Sequence, residues 1–131
     1  MTSVIDTNIF IASFFRDEVH HESAKRIIQK IEKENAIYSD YILAETLNWI
    51  RNKKGLNISV QALDSIIESK IKLIKIEERH ILSATELFRK YEDLSFTDCT
   101  TIALMFDIGI KQIYSFDSDF DSIPNVIRLE E

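Results

Sequence analysis

The sequence predicts an α/β fold, a three-layer α/β/α sandwich around a short parallel sheet. Short β-branched runs (Val4-Ile5, Ala36-Ile37-Tyr38, Gln112-Ile113-Tyr114) alternate with longer stretches whose apolar residues recur every three or four positions. No tight hairpin dipeptide joins one run to the next. Strands separated by helices pair in parallel through right-handed crossovers. The 131 residues, 45% apolar and 29% charged, suffice for one domain with a single core, so residues 1–131 are read as one unit.

Taken in order, Val4 and Ile5 form a buried strand that Asp6-Thr7-Asn8 ends, and Ile9 to Phe15 follows with helical spacing. Asp, Thr and Asn are the residues that accept the free N–H groups of a helix start. From His20 to Glu34, Ala24, Ile27, Ile28 and Ile31 mark one face of an amphipathic helix. His20 and His21 open it and, being adjacent, point apart; both are read as surface residues. After the strand at Ala36-Ile37-Tyr38, Ser39 and Asp40 cap a helix from Tyr41 to about Lys53, which Gly55 ends. Ser59 is expected to cap a short helix carrying Leu63, Ile66 and Ile67. Lys70 to Ile76 alternates in its first half and predicts a third strand near a sheet edge.

Glu78 to Tyr91 is helical, with Ile81, Leu82, Ala84, Leu87, Phe88 and Tyr91 on one face and His80 off that stripe, hence exposed. In Leu94-Ser95-Phe96-Thr97-Asp98, Thr97 reads as the N-cap and Asp98 as the first residue of a helix that stops at Gly109. A negative charge there suits the helix dipole. Gln112 to Phe116 is a fourth strand ending in Asp117-Ser118-Asp119-Phe120-Asp121, and Asn125 to Leu129 a small fifth one.

Several classes are excluded at this stage. The apolar runs are short and broken by charge, so nothing spans a membrane. No basic region precedes an apolar stretch at the N-terminus, which predicts a cytoplasmic location. The single cysteine, Cys99, rules out an internal disulfide and a Cys-rich zinc site. A net charge of −6 argues against simple electrostatic binding of nucleic acid. That charge is uneven. Trp49–Arg79 holds seven bases against four acids, whereas Glu92–Glu131 holds nine acids against Lys111 and Arg128. A basic shoulder and an acidic pocket fit this segregation.

Four acids stand at equivalent places in the predicted fold. Asp6 and Asp117 end strands, Asp98 opens a helix, and Glu45 lies one turn into the helix after a strand; Asp119 and Asp121 are auxiliaries. In a parallel sandwich all four converge on the carboxyl edge of the sheet, where α/β proteins bind ligands. Carboxylates packed together resist ionisation unless a cation holds them. Oxygen donors without His or Cys select a hard ion, Mg²⁺ or Mn²⁺. Such an ion can acidify a water and clamp a phosphodiester for attack. Each acid also has a structural explanation, as a cap or a solvated side chain.

Ile5-Asp6-Thr7-Asn8-Ile9-Phe10, the helix bearing Glu45, Phe96-Thr97-Asp98 and Ser115-Phe116-Asp117-Ser118-Asp119-Phe120 together resemble the PIN domain, in order and across the whole chain. The resemblance implies that Asp6, Glu45, Asp98 and Asp117 are catalytic and, with Asp119, bind Mg²⁺ or Mn²⁺. It also implies that the substrate is RNA, cut to leave a 5′-phosphate, with Thr7, Asn8, Thr97 and Ser115 in support. At this length the chain is similar to the VapC-type toxins of toxin–antitoxin pairs. That likeness implies a homodimer and an antitoxin partner that fills the active-site groove.

Glu45 is preferred to the neighbouring Asp40 as the second acid because a helix from Tyr41 turns it inward. Two rivals remain open: a PIN module that binds RNA or protein without cutting, and a receiver-like phosphotransfer domain. The second needs an acid pair after the first strand, a central phospho-accepting Asp and a late lysine, whereas the first strand here ends in Asp-Thr-Asn and the third in Ile76-Glu77-Glu78.

Overall fold

A computed structural model describes all residues, Met1–Glu131. The elements run β1 (Ser3–Ile5), α1 (Thr7–Phe14), α2 (His21–Ile31), β2 (Ala36–Ser39), α3 (Asp40–Lys54), α4 (Leu56–Glu68), β3 (Lys72–Ile74), α5 (Glu78–Lys90), α6 (Phe96–Ile108), β4 (Gln112–Tyr114), a 3-10 turn (Ser118–Ser122) and β5 (Ile127–Leu129). The five strands form one sheet in the order β3-β2-β1-β4-β5, every pair parallel. Right-handed crossovers put α1 to α4 on one face and α5 and α6 on the other, as the β3 to β4 connection runs back across the sheet.

The core is one cluster of 23 buried residues, including Val4 and Ile5 from β1, Ile37 and Tyr38 from β2, and Ile113 and Tyr114 from β4. β1 and β2 are buried at every position, as strands covered on both faces must be. β3 is the edge strand the alternation predicts, but it is shorter, with Lys72 and Leu73 exposed. In α6, Cys99 to Met105 are all buried, so this helix is apolar on every side and runs through the interior. Cys99 is there as a small apolar residue, its thiol pushed up to about 11 chiefly by burial. A smaller cluster of Ile11, Ile50 and Ala62 ties α1, α3 and α4 together. No helix is long and apolar enough to cross a membrane.

Three local expectations fail, each through a hydrogen bond that spacing does not reveal. Ser59 lies inside α4, where its hydroxyl donates to the Leu56 carbonyl at 2.8 Å and accepts from Arg51 Nε at 2.8 Å. The N-cap of α6 is Ser95, not Thr97, and Asp98 is the third helical residue. Ser95 Oγ accepts from the Asp98 N–H at 3.1 Å, while Asp98 Oδ2 accepts from the Ser95 N–H at 3.1 Å. This is a capping box with Asp at the third position.

His80 is buried, not exposed. Its Nδ1 accepts from the Glu77 N–H at 2.9 Å, which leaves the proton on Nε2 to be donated to Asp107 Oδ2 at 2.8 Å. Arg79 donates to the same oxygen, at 3.1 Å from Nη2. The start of α5 is thereby fastened to the end of α6. His80→Ala removes a cap and a buried hydrogen bond together, so it should lower stability by about 1–2 kcal/mol. Urea denaturation measures this, and an unchanged midpoint would show that the bridge is incidental.

Candidate active site

Parallel register builds the site. Ile5 pairs with Tyr114, so the next residues of the two strands, Asp6 and Ser115, stand side by side at the carboxyl edge. The sheet order reverses between β1 and β4, because β2 and β3 are added on one side and β4 and β5 on the other. Such a switch point opens a crevice above the sheet.

Asp6 is buried, 4% exposed, and serves as the N-cap of α1. Its Oδ1 accepts from the Thr7 N–H at 2.9 Å. Its Oδ2 accepts from Ser115 Oγ at 2.7 Å and from Asn8 Nδ2 at 3.4 Å. Asn8 Nδ2 also donates to Ser115 Oγ at 3.2 Å, and Asn8 Oδ1 accepts from the Phe116 N–H at 3.1 Å. Ser115 Oγ accepts in turn from the Asp117 N–H at 3.0 Å. Asp117 then starts the 3-10 turn, its Oδ1 accepting from the Asp119 N–H at 2.9 Å. One bonded network therefore sets Asp6 and Asp117 relative to each other. Asp98 enters from the first turn of α6, and Glu45 projects from α3, exposed.

These side chains line a cleft of about 330 Å³ with Thr7, Ser95, Asp93 and a single apolar residue, Ile11. No Lys or Arg lines it. Asp6 is pushed up to about 7, by burial first and next by the Asp98 carboxylate, against the opposing hydrogen bonds from Ser115 and Thr7. In the folded chain it thus keeps a proton that it would give up in water. Asp98 is pushed up to about 6, again by burial first, with Asp117 and Glu45 adding repulsion to what the Ser95 bonds relieve. Thr7 Oγ1 is buried without a hydrogen-bond partner.

A concave, oxygen-only donor set with no internal counter-charge fits a hard divalent cation. No three of the acidic groups stand close enough together to form a finished metal cage.

The cleft brings together Asp6, Glu45, Asp98, Asp117, Thr7 and Asn8, with Ser115 buried beneath. Three expected members fall outside. Asp119 does not line it, although the Asp117 carboxylate beside it is the main cause of its raised pKa. The Thr97 side chain makes no bond to the acids, and the residue contributes its carbonyl to the Thr100 and Thr101 hydroxyls instead. Asp121 is turned away into a pair with Arg128 at 2.8 Å. Asp40 lies off the cleft, its Oδ1 holding the Tyr41 and Ile76 N–H groups. Asp93 is the acid that pattern reading missed. It sits in the turn before α6, with neither periodicity nor a strand end to mark it.

The family model for the PIN domain matches residues 3–126. VapC ribonuclease Mb1869c of Mycobacterium bovis is 27% identical over 128 residues, 96% of this chain and 98% of that protein. The 23S rRNA-specific endonuclease VapC20 of Mycobacterium tuberculosis is 26% identical over 90% of this chain and 91% of its own. The crystal structure of VapC20, a sarcin-ricin loop cleaving toxin, superposes with a TM-score of 0.83 at 22% identity over 93% of this chain and 94% of that one. VapBC2 of Rickettsia felis, bound to a fragment of its promoter DNA, gives a TM-score of 0.77 at 17% identity over 98% of both chains.

The raised acids have a consequence for the metal-free protein. Asp6 and Asp98 keep protons in the folded chain between about pH 4 and 7 that the unfolded chain releases. The folded state binds more protons in this window, so stability falls as pH rises. Thermal melts in EDTA should show a lower midpoint at pH 8 than at pH 5.5. Asp98→Asn should flatten the difference and Mn²⁺ should erase it. A wild-type profile flat over this range would mean that both acids ionise freely.

Proposed function

The chain belongs to the PIN domain family, and from that premise we propose that it is an endoribonuclease acting with Mg²⁺ or Mn²⁺, the toxin of a toxin–antitoxin pair. The observation that carries this is the convergence of Asp6, Glu45, Asp98 and Asp117 on one cleft at the sheet's switch point. The relatives named VapC ribonucleases support the reaction class. Solved toxin–antitoxin complexes of the same fold support a partner that restrains it. A homodimer in the cytoplasm completes the reading. The sheet order counts against the receiver-like rival, whose flavodoxin-like sheet runs 2-1-3-4-5.

The residues divide the work by burial. Asp6, Asp98 and Asp117 would hold the ion, Asp119 standing next to them, and a bound divalent ion supplies a nucleophilic water and neutralises phosphate charge. Asp6 presents its carboxylate in one fixed orientation because Ser115, Asn8 and the Thr7 N–H all hold it. Glu45, exposed on the rim, has the freedom to take the proton from the attacking water. Ser115 and Asn8 are positioning residues. The acids repel the RNA backbone, so turnover depends on the ion to bring phosphate and carboxylates together.

Calorimetric titration of Mn²⁺ into wild type and Asp98→Asn, with cleavage of total RNA followed on the same samples, tests the reading. Wild type should bind the ion and cut, and EDTA should stop the cutting. The variant should fold normally yet lose at least about a hundredfold in rate. Metal binding without cleavage of any RNA would leave a binding module. Ser115→Ala keeps all four acids but frees Asp6, so Mn²⁺ affinity should weaken about 10- to 100-fold. Affinity equal to wild type would remove Ser115 from the supporting network.

A further inference from the structure

Next to the acidic cleft, and sharing Asn8 and Ile11 with it, is a second concavity of about 420 Å³ with the opposite character. Trp49, Phe116, His20 and Val19 form its walls, with Glu18 on the lining. The His20 ring lies over Phe116, centroids 4.3 Å apart and planes 17° from parallel. His20 is exposed and Val19 is 92% exposed, an apolar side chain with nothing of its own chain to cover it. Trp49 packs on Phe15 at 6.2 Å, and Lys54 Nζ stands 4.7 Å from the Phe15 ring centre. Past Trp49, the last turn of α3 carries Arg51, whose Nε donates to Ser59 Oγ at 2.8 Å, Lys54, whose Nζ pairs with Asp17 at 3.5 Å, and the exposed Lys53. Acidic cleft and aromatic pocket are therefore neighbours on one surface, and Lys54 follows them across the Phe15 ring.

We propose that the aromatic pocket receives an unpaired nucleobase next to the phosphate that is cut, while the basic turn holds the backbone beyond it. This rests on the ribonuclease reading above. A flat aromatic wall accepts the face of any base, and that face is available only in a single strand, loop or bulge. The acidic cleft has no Lys or Arg to hold the backbone, so affinity has to come from contacts outside it. Continuity through Asn8 and Ile11 places the pocket one short step from the acids. Glu18 can accept an N–H from the base edge, leaving its ring free to stack.

Trp49 is the only tryptophan of the chain, so its emission reports on the pocket directly. The experiment titrates a short oligoadenylate into the full chain in Ca²⁺, first single-stranded and then annealed to oligouridylate, and repeats this with His20→Ala and Val19→Asp. Both substitutions fall on exposed side chains. Single strands should quench Trp49 and the duplex should not, and both variants should bind the strand at least about fivefold more weakly with Mn²⁺ titration unchanged. Equal quenching by duplex, or variants that bind RNA as wild type does, would overturn the inference while Mn²⁺ binding and cleavage kept the nuclease reading standing. Quenching by an apolar peptide but not by RNA would overturn it too and assign the pocket to a protein partner. A wild type that neither binds Mn²⁺ nor cuts RNA would bring down both.

Discussion

The bond from Ser115 Oγ to Asp6 Oδ2, 2.7 Å long and fully buried, is the contact on which the site depends. It joins residues 109 positions apart in sequence and exists because β1 and β4 pair in parallel with Ile5 opposite Tyr114. A hydrogen bond to a charged group contributes about 1.5–3 kcal/mol, so a few of them can hold a carboxylate that burial alone would expel. They do not fully offset the burial, which is why Asp6 is pushed up to about 7. A positive charge brought to the open side of the cleft would reverse the balance.

Fold stability and site geometry are carried by the same elements. α6 is buried all round between Cys99 and Met105, and its position fixes where Asp98 enters the cleft. The far end of the same helix is held by Asp107, which accepts from His80 and Arg79 of α5. α6 is thus pinned at the C-terminal end by a polar bridge and capped at the N-terminal end by Ser95. Arg128 plays a related part on β5, donating to the Ser115 carbonyl at 3.1 Å while pairing with Asp121 and Glu130. The strand end that carries Ser115 and Asp117 is clamped from both sides.

The charge distribution sets what the surface can do. The chain carries −6 overall, and its acids are concentrated where a phosphate must arrive. Long-range attraction to a polyanion is correspondingly weak.

Much of this was written in local order. Val4-Ile5 followed by Asp6-Thr7-Asn8 specified a buried strand, a cap and an acid together. The alternation of strand and helix specified a parallel sheet and hence a shared carboxyl edge, because these are properties of near neighbours along the chain. Helix spacing turned Glu45 to the cleft, while Asp40 is held off it by the N–H groups of Tyr41 and of Ile76, 36 positions away. What the sequence could not determine depends on partners distant in the chain. Strand register decides that Ser115 meets Asp6, and Arg128, not the cleft, takes Asp121. Asp107, 27 positions on, turns an off-stripe His80 into a buried cap. Asp93 reaches the cleft only because α6 is anchored where it is, and Trp49, Phe116 and His20 become one wall only once α3, β4 and α2 are packed. Propensity and periodicity act within a few residues, whereas these contacts are fixed by packing the whole sheet.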